Sequence, residues 1–91
     1  MEFEWDENKR MSNIEKHGFD FRESWKLFDG DHIKGVAKQG KCGEERFLAT
    51  GLIDEVYATI ICTMRNGIYR VISLRKARPN EQRKHQALHG E

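Results

Sequence analysis

The stretch VYATIICTMRNGIYRVISL, residues 56–74, decides the fold. Its two halves, Val56 to Met64 and Ile68 to Leu74, are rich in aliphatic and β-branched residues, a composition typical of β-strands. Asn66-Gly67 lies between them and predicts a two-residue type I′ turn, because both central positions of that turn require positive φ. The sequence therefore predicts an antiparallel hairpin.

The register of this hairpin predicts two unlike sheet faces. Arg65 opposite Ile68 sets the register, and side chains then alternate between the faces. One face is expected to be core, and it collects Met64, Cys62, Ile60, Ala58, Val56, Tyr69, Val71, Ser73 and Arg75. The other is expected to be basic and partly exposed, and it collects Arg65, Thr63, Ile61, Thr59, Tyr57, Arg70, Ile72, Leu74 and Lys76.

Three more strands are predicted before the hairpin. Arg46 to Leu52 is the clearest, His32 to Ala37 is weaker, and Glu2 to Trp5 is short. The stretch QGKCGEE, residues 39–45, is rich in glycine and charge and predicts a loop.

Two helices are predicted near the N-terminus. Asp6 is a suitable N-cap and Gly18 a suitable C-terminal stop for the first helix, with Met11 and Ile14 expected on its buried side. The second helix is expected to begin at Asp20, three residues before Glu23, and to end at residues 29–31. Its apolar residues Phe21, Trp25 and Phe28 repeat at i, i+4 and i+7, which predicts that all three are core.

A last, largely polar helix is predicted from Pro79 to Leu88, since proline favours the first helical turn. The expected fold is one α+β domain over residues 1–91, with a mainly antiparallel sheet of four to five strands, two N-terminal helices and one C-terminal helix.

Charge is unevenly distributed along the chain. Residues 1–64 hold nine Lys and Arg against thirteen Asp and Glu, a net charge of −4, and residues 65–91 hold seven against two, a net charge of +5. A polyanion is therefore expected to meet the C-terminal third, although a solvated basic face would look the same.

Several protein classes do not fit the sequence. No apolar run approaches the roughly 18 residues of a membrane span, and the acidic start lacks the features of a secretory signal, so a cytoplasmic location is expected. Cys42 and Cys62 are therefore interpreted as reduced thiols. The sequence has no Walker loop, GxSxG, HExxH or paired CxxC motif.

The basic hairpin supplies cations that RNA hydrolysis without a metal would need. That reaction requires a base for the 2′-hydroxyl, an acid for the leaving 5′-oxygen, and positive charge near the phosphorane. Arg65, Arg70 and Arg75 can bind phosphate oxygens through their planar guanidinium groups. The same arginines could equally be a solvated face.

His17 and His85 are the candidate acid and base, because an imidazole titrates near neutral pH. A histidine just before a helix-ending glycine can equally serve to offset the helix dipole. His85 and His89, four residues apart, could bind Zn²⁺, but the sequence nearby supplies no further ligands.

An ordered set of motifs over nearly the whole chain resembles the BrnT toxin family. Each motif is short, but their order and spacing agree with the family. The motifs are WDENK at Trp5 to Lys9 with Asn13, KHG at Lys16 to Gly18, Phe21, GEERF at Gly43 to Phe47, Gly51, the arginine-containing turn after the long strand, RVISLRKA at Arg70 to Ala77, and Glu81.

This resemblance implies a RelE-like fold and a metal-independent endoribonuclease that inhibits translation without a cofactor. It implies a cognate antitoxin similar to BrnA, an RNA substrate, and DNA contact only through the antitoxin complex. The resemblance implies phosphate binding and stabilisation of transition-state charge by the arginines, with a lysine or His17 assisting proton transfer. Together with the reasoning from the residues, it leads us to expect catalysis from Arg65, Arg70, Arg75, His17 and His85, and RNA binding from Trp5, Lys9, Lys16, Lys76 and Arg78.

The chain departs from the family at one position. His85 stands in the terminal helix where the family often has tyrosine, which removes a tyrosine from the expected acid and base groups. A non-catalytic module that binds nucleic acid or protein is the alternative function.

Overall fold

The computed structural model describes residues 1–36 and 45–89. In these ranges a five-stranded sheet has the order β1-β5-β4-β3-β2, with β1 parallel to β5 and the other pairs antiparallel. The strands are β1 (Phe3–Glu4), β2 (Ile33–Val36), β3 (Phe47–Ile53), β4 (Val56–Arg65) and β5 (Ile68–Lys76), and the helices are α1 (Glu7–His17), α2 (Ser24–Asp29) and α3 (Pro79–His89). The α+β prediction is confirmed. The predicted 39–45 loop and Cys42 fall largely or wholly outside the described residues.

The ends of α1 are as predicted, but its buried side is not. The Asp6 carboxylate accepts hydrogen bonds from two backbone N–H groups of the first turn, and Gly18 ends the helix with φ 76°. Met11, which was expected to be buried, is 56% exposed, and Ile14 is half-buried. The buried residue of this helix is Asn13.

Asn13 is buried because its amide completes the backbone hydrogen bonding of β5. Its Nδ2 donates to the Leu74 carbonyl at 2.8 Å, and its Oδ1 accepts from the Leu74 N–H at 3.2 Å. β1 pairs with β5 only opposite Tyr69 and Arg70. The Asn13 side chain therefore does for Leu74 what a longer β1 would have done, and it fixes α1 to the sheet.

The predicted second helix is divided, and this explains the error at Trp25. Phe21–Glu23 forms a 3-10 turn capped by Asp20, and α2 follows. A 3-10 turn advances three residues per turn, so residues before and after it no longer share an α-helical stripe. Trp25 is 53% exposed, whereas Phe21, Leu27 and Phe28 are core.

The hairpin turn is confirmed, since Asn66 and Gly67 have φ of 51° and 78° and Arg65 pairs with Ile68. The faces predicted for β5 are wrong beyond Val71. Cys62 pairs with Val71 but Ile61 pairs with Ser73, so Ile72 is an extra residue in a β-bulge. The bulge moves Leu74 into the core and puts Arg75 on the opposite face.

The core lies between one sheet face and α1, the 3-10 turn and α2. Its buried apolar residues are Phe21, Leu27, Phe28, Ala49, Ile53, Ala58, Ile60, Cys62, Val71 and Leu74. Met64 and Val56, which were also expected there, are 45% and 44% exposed at the strand ends.

Helix α3 packs against the opposite face, which we name the α3 face. Thr59 and Thr63, expected to be partly exposed, are fully buried on it. By register and alternation this face carries Arg46, Leu48, Thr50, Leu52, Tyr57, Thr59, Ile61, Thr63, Arg65, Arg70 and Arg75.

Candidate nucleic-acid interface

The three predicted catalytic arginines all lie on the α3 face. Arg70 pairs with Thr63 and Arg75 with Thr59 across β4 and β5, and Arg65 ends β4. Side chains directly opposite each other in adjacent strands point to the same side of a sheet. The hairpin therefore presents its arginines to one surface.

Arg70 is held in place by an acidic residue from the N-terminus. Its Nη1 donates to Glu4 Oε2 at 2.8 Å, and both side chains are about one-third exposed. The pair forms where β1 joins β5, with Glu4 opposite Arg70 in the parallel register. Arg70 keeps an oriented guanidinium group at the surface.

Arg75 is bound by Glu81 of α3. Its Nη1 and Nη2 donate to the two Glu81 carboxylate oxygens at 2.9 and 3.0 Å, and the two side chains are only 15% and 12% exposed. This bidentate pair directs Arg75 towards Glu81 rather than towards solvent. Arg75 can bind a phosphate only if its guanidinium group contacts the phosphate and Glu81 together, or if its ion pair with Glu81 breaks.

The Glu81 carboxylate is the centre of a larger hydrogen-bond group. It also accepts from Thr59 Oγ1 at 2.9 Å and from the Arg78 N–H at 2.7 Å, and Thr59 is bonded to Thr50. Burial opposes ionisation of Glu81, but these hydrogen bonds and the charge of Arg75 outweigh it and lower its pKa to about 2.

A small cavity of about 130 Å³ opens beside this group, between α3 and the β2–β3 side of the sheet. Its lining comprises Ile33, Lys34, Gly35, Leu48, Thr50, Glu81 and Lys84.

The structure places His85 inside the fold. It is 4% exposed, its ring meets Tyr57 edge-on at 5.2 Å, and its Nε2 lies 2.8 Å from the Asp31 carbonyl. A carbonyl only accepts, so Nε2 carries the proton in this contact. His85 thus fastens α3 to the segment before β2.

Lys9, Lys16 and His17 line a second surface, at the β5 edge of the sheet. With Ser12 and Asn13 of the same helix and Ile72 and Ser73 of β5, they enclose a groove of about 240 Å³. Residues at these spacings share one side of a helix. The groove adjoins β5 between Arg70 and Arg75, so its lysines extend the positive surface of the hairpin around the sheet edge.

The two predicted histidines are not brought together. His17 lies on α1 and His85 on α3, and these helices pack against opposite sides of the sheet. Of the two, only His17 is exposed.

The other predicted RNA-binding residues are scattered. Trp5 is half-buried, meets Phe21 edge-on at 6.4 Å, and donates from Nε1 to Glu7 at 3.1 Å. Lys76 is exposed at the end of β5, and Arg78 is exposed just before α3.

Two residues of this surface were missed by reasoning from the sequence. Glu81 entered only as a motif residue, and its spacing of six from Arg75 gives no local signal of contact. Arg46 was read only as the start of a strand. Register analysis could have found it, because the step before the Phe47–Cys62 pair brings residue 46 opposite Thr63.

No three His, Cys, Asp or Glu side chains within residues 1–36 and 45–89 are grouped so as to hold a metal ion. In the same ranges, no helix combines the length and apolar character that a membrane crossing requires.

The fold and this surface define a small α+β protein whose cations are collected on one hairpin and one sheet edge, as suits a protein acting on a polyanion. Residues 5–81 match the family model described as the ribonuclease toxin, BrnT, of type II toxin-antitoxin systems. The chain belongs to this family, and it is therefore a ribonuclease toxin that is paired with an antitoxin. No curated protein matches the chain.

Proposed function

We propose that the chain is a metal-independent endoribonuclease that acts in the cytoplasm. It binds RNA at the part of the α3 face that helix α3 leaves open, around Arg65 and Arg70, and along the β5 edge. The observation that carries this proposal is the placement of Arg65, Arg70 and Arg75 on one sheet face. RNA phosphates would meet the exposed arginines first, and positive charge from them would stabilise the phosphorane.

Proton transfer is proposed for the β5 edge. His17 is the exposed histidine, and it shares its groove with Lys9 and Lys16. An imidazole there can take the 2′-hydroxyl proton or supply one to the leaving oxygen. His85 donates a hydrogen bond from Nε2 to the Asp31 carbonyl. In this proposal it holds α3 in place and takes no part in proton transfer.

The proposed ribonuclease activity is tested by inducing expression of the toxin in cells without its antitoxin and mapping the 5′ ends of the transcripts. We expect growth arrest and new 5′ ends, both strongly reduced in Arg70→Gln and His17→Ala. Arg22→Gln on the opposite side of the molecule is the control and should stay toxic. Purified protein should cleave RNA equally with and without EDTA, and loss of cleavage in EDTA would refute metal independence.

The antitoxin is proposed to resemble BrnA and to inhibit by covering the part of the α3 face around Arg65 and Arg70, where its acidic side chains would meet the arginines. Any DNA contact is proposed to come through the antitoxin. Co-expressed toxin and antitoxin should elute together on gel filtration, and operator DNA should bind the complex but not the toxin alone. DNA binding by the isolated toxin at the same affinity would contradict this assignment.

A further inference from the structure

Two polar atoms on the α3 face are buried without a hydrogen-bond partner. They are Nε of Arg46 and Oγ1 of Thr63, and among the described side chains only His85 Nδ1 shares this condition. Thr63 is completely buried. Buried donors that lack an acceptor are rare in folded proteins, and they point to a missing partner.

The two atoms belong to neighbouring residues of one cross-strand row. Phe47 pairs with Cys62, so the next position places Arg46 opposite Thr63, and Thr63 pairs in turn with Arg70. Adjacent strands are about 4.8 Å apart, so this row spans roughly 10 Å. An arginine therefore stands on each side of the Thr63 hydroxyl.

The surrounding charge favours an anion over water as the missing partner. Arg46 and Arg70 belong to the row, and Arg65 lies two residues further along β4 on the same face. Glu4 also lies on this face and is bound to Arg70. Guanidinium N–H and threonine O–H groups both donate, so one anion with several oxygens can accept from the whole row.

We propose that Arg46, Thr63 and Arg70 form a subsite for a phosphodiester group of the RNA. This inference rests on the proposed function and adds Arg46 and Thr63 to its binding residues. Both atoms are buried in the free protein, so the proposal includes an outward turn of the Arg46 side chain that uncovers the Thr63 hydroxyl. Arg46 Nε and Thr63 Oγ1 then donate to non-bridging phosphate oxygens. Arg70 approaches the same group with the N–H groups that Glu4 leaves open.

The test is binding of a single-stranded 2′-O-methyl RNA, which lacks the reacting hydroxyl, measured by fluorescence anisotropy at several salt concentrations. Arg46→Gln should weaken binding about ten-fold, as loss of one charge-assisted contact implies. The salt slope, which is the change of log affinity with log salt concentration, should become shallower by the amount that about one phosphate contact contributes. Arg46→Lys should keep the slope but lose part of the affinity.

Thr63→Val tests the hydroxyl separately, because valine has nearly the same shape and no donor. We expect a loss of affinity of about three- to ten-fold with an unchanged salt slope, and a melting temperature no lower than that of the wild type. Thr63→Ser, which keeps the hydroxyl, should bind more tightly than Thr63→Val. If Arg46→Gln fails to fold, Arg46→Lys and the Thr63 pair decide the question.

Arg22→Gln is the matched charge control, since Arg22 is exposed beside Asp20 on the other side of the molecule. Binding in Arg46→Gln and Thr63→Val equal to that in Arg22→Gln, or no binding by the wild type, would overturn the subsite. Wild-type binding without cleavage of unmodified RNA would instead overturn the proposed enzyme and leave the subsite standing.

Discussion

Glu81 shows how one carboxylate can organise a surface. It accepts four hydrogen bonds, one from Thr59 of β4, two from Arg75 of β5, and one from the Arg78 N–H just before α3. The last bond satisfies a backbone donor at the helix start, as a glutamate at the third helical position often does. The position of α3 over the sheet thus depends on the ionised form of a single side chain.

Glu81→Gln should therefore lower the free energy of unfolding at neutral pH. It should also make the free energy of unfolding depend less on pH in the acidic range. The pKa of Glu81 falls from 4.5 to about 2 on folding, so its stabilising effect is full above pH 4.5 and is lost as the pH falls towards 2. The loss at pH 7 should be roughly 3 to 4 kcal/mol, because the shift is about 2.5 pKa units and each unit corresponds to about 1.4 kcal/mol. Urea unfolding at pH 7, 4 and 3 measures it.

Glu15→Gln, at an exposed position of α1, is the control for this substitution and should change little. Some acid dependence should remain in Glu81→Gln. Burial raises the pKa of Asp20, but hydrogen bonds from Arg22 and Arg10 outweigh it and lower this pKa to about 2 as well. A Glu81→Gln protein as stable as the wild type at pH 7 would refute the anchoring role.

At the scale of elements, the bulge in β5 decides on which face of the sheet Arg75 lies. Without it, regular alternation from Val71 would direct Arg75 to the core and Leu74 to the α3 face. Ile72 is the residue without a partner, while Ser73 and Leu74 on its far side pair with Ile61 and Ile60. The bulge corrects a mismatch between the hairpin register and the apolar pattern.

Deletion of Ile72 should therefore be tolerated. The pairs on both sides of the bulge remain as they are, and we expect a loss of no more than about 2 kcal/mol in the free energy of unfolding. Deletion of Ile61 from the partner strand is the contrast, because it widens the mismatch and should abolish cooperative unfolding. Urea titration followed by circular dichroism measures both, and equal effects would contradict the assigned register.

Residues with local signals were the ones predicted correctly. The turn at Asn66 and Gly67 and the caps of α1 each depend on neighbours within a few positions, and sequence reasoning found them. The bulge depends on how β5 fits a core built from residues that are distant in sequence, and no local pattern predicts it. Trp25 was misplaced because the 3-10 turn before it broke the helical period. Arg75 was found as a cation, but its partner Glu81 was not.

At the scale of the whole molecule, segregation of charge makes a nearly neutral chain locally basic. The net charge is only +1, yet the hairpin and the groove between α1 and β5 each present several cations to one side. Charges beyond a Debye length of about 8 Å are screened at physiological salt, so RNA responds chiefly to the nearby surface. Binding should thus be strong at low salt and specific to this side of the protein.

We expect the logarithm of the RNA affinity to fall linearly with the logarithm of salt concentration, with a slope of about −3. This slope corresponds to about four phosphate contacts on a single strand. Anisotropy titrations of 2′-O-methyl RNA between 50 and 300 mM KCl measure it, with Lys9→Gln/Lys16→Gln expected to make it shallower. A slope near zero would show that ionic contacts with phosphate do not dominate binding.

The amide of Asn13 also has a consequence for the order in which the chain can fold. It joins residues 61 positions apart, and β1 pairs with a strand at a similar distance along the sequence. Contacts of such long range form late, because a large loop must close first. A chain interrupted before β5 would lack the hydrogen bonds between Asn13 and Leu74, and it would also lack Arg70 and Arg75. An incompletely synthesised toxin would therefore have neither the complete fold nor the arginines on which its toxicity is proposed to depend.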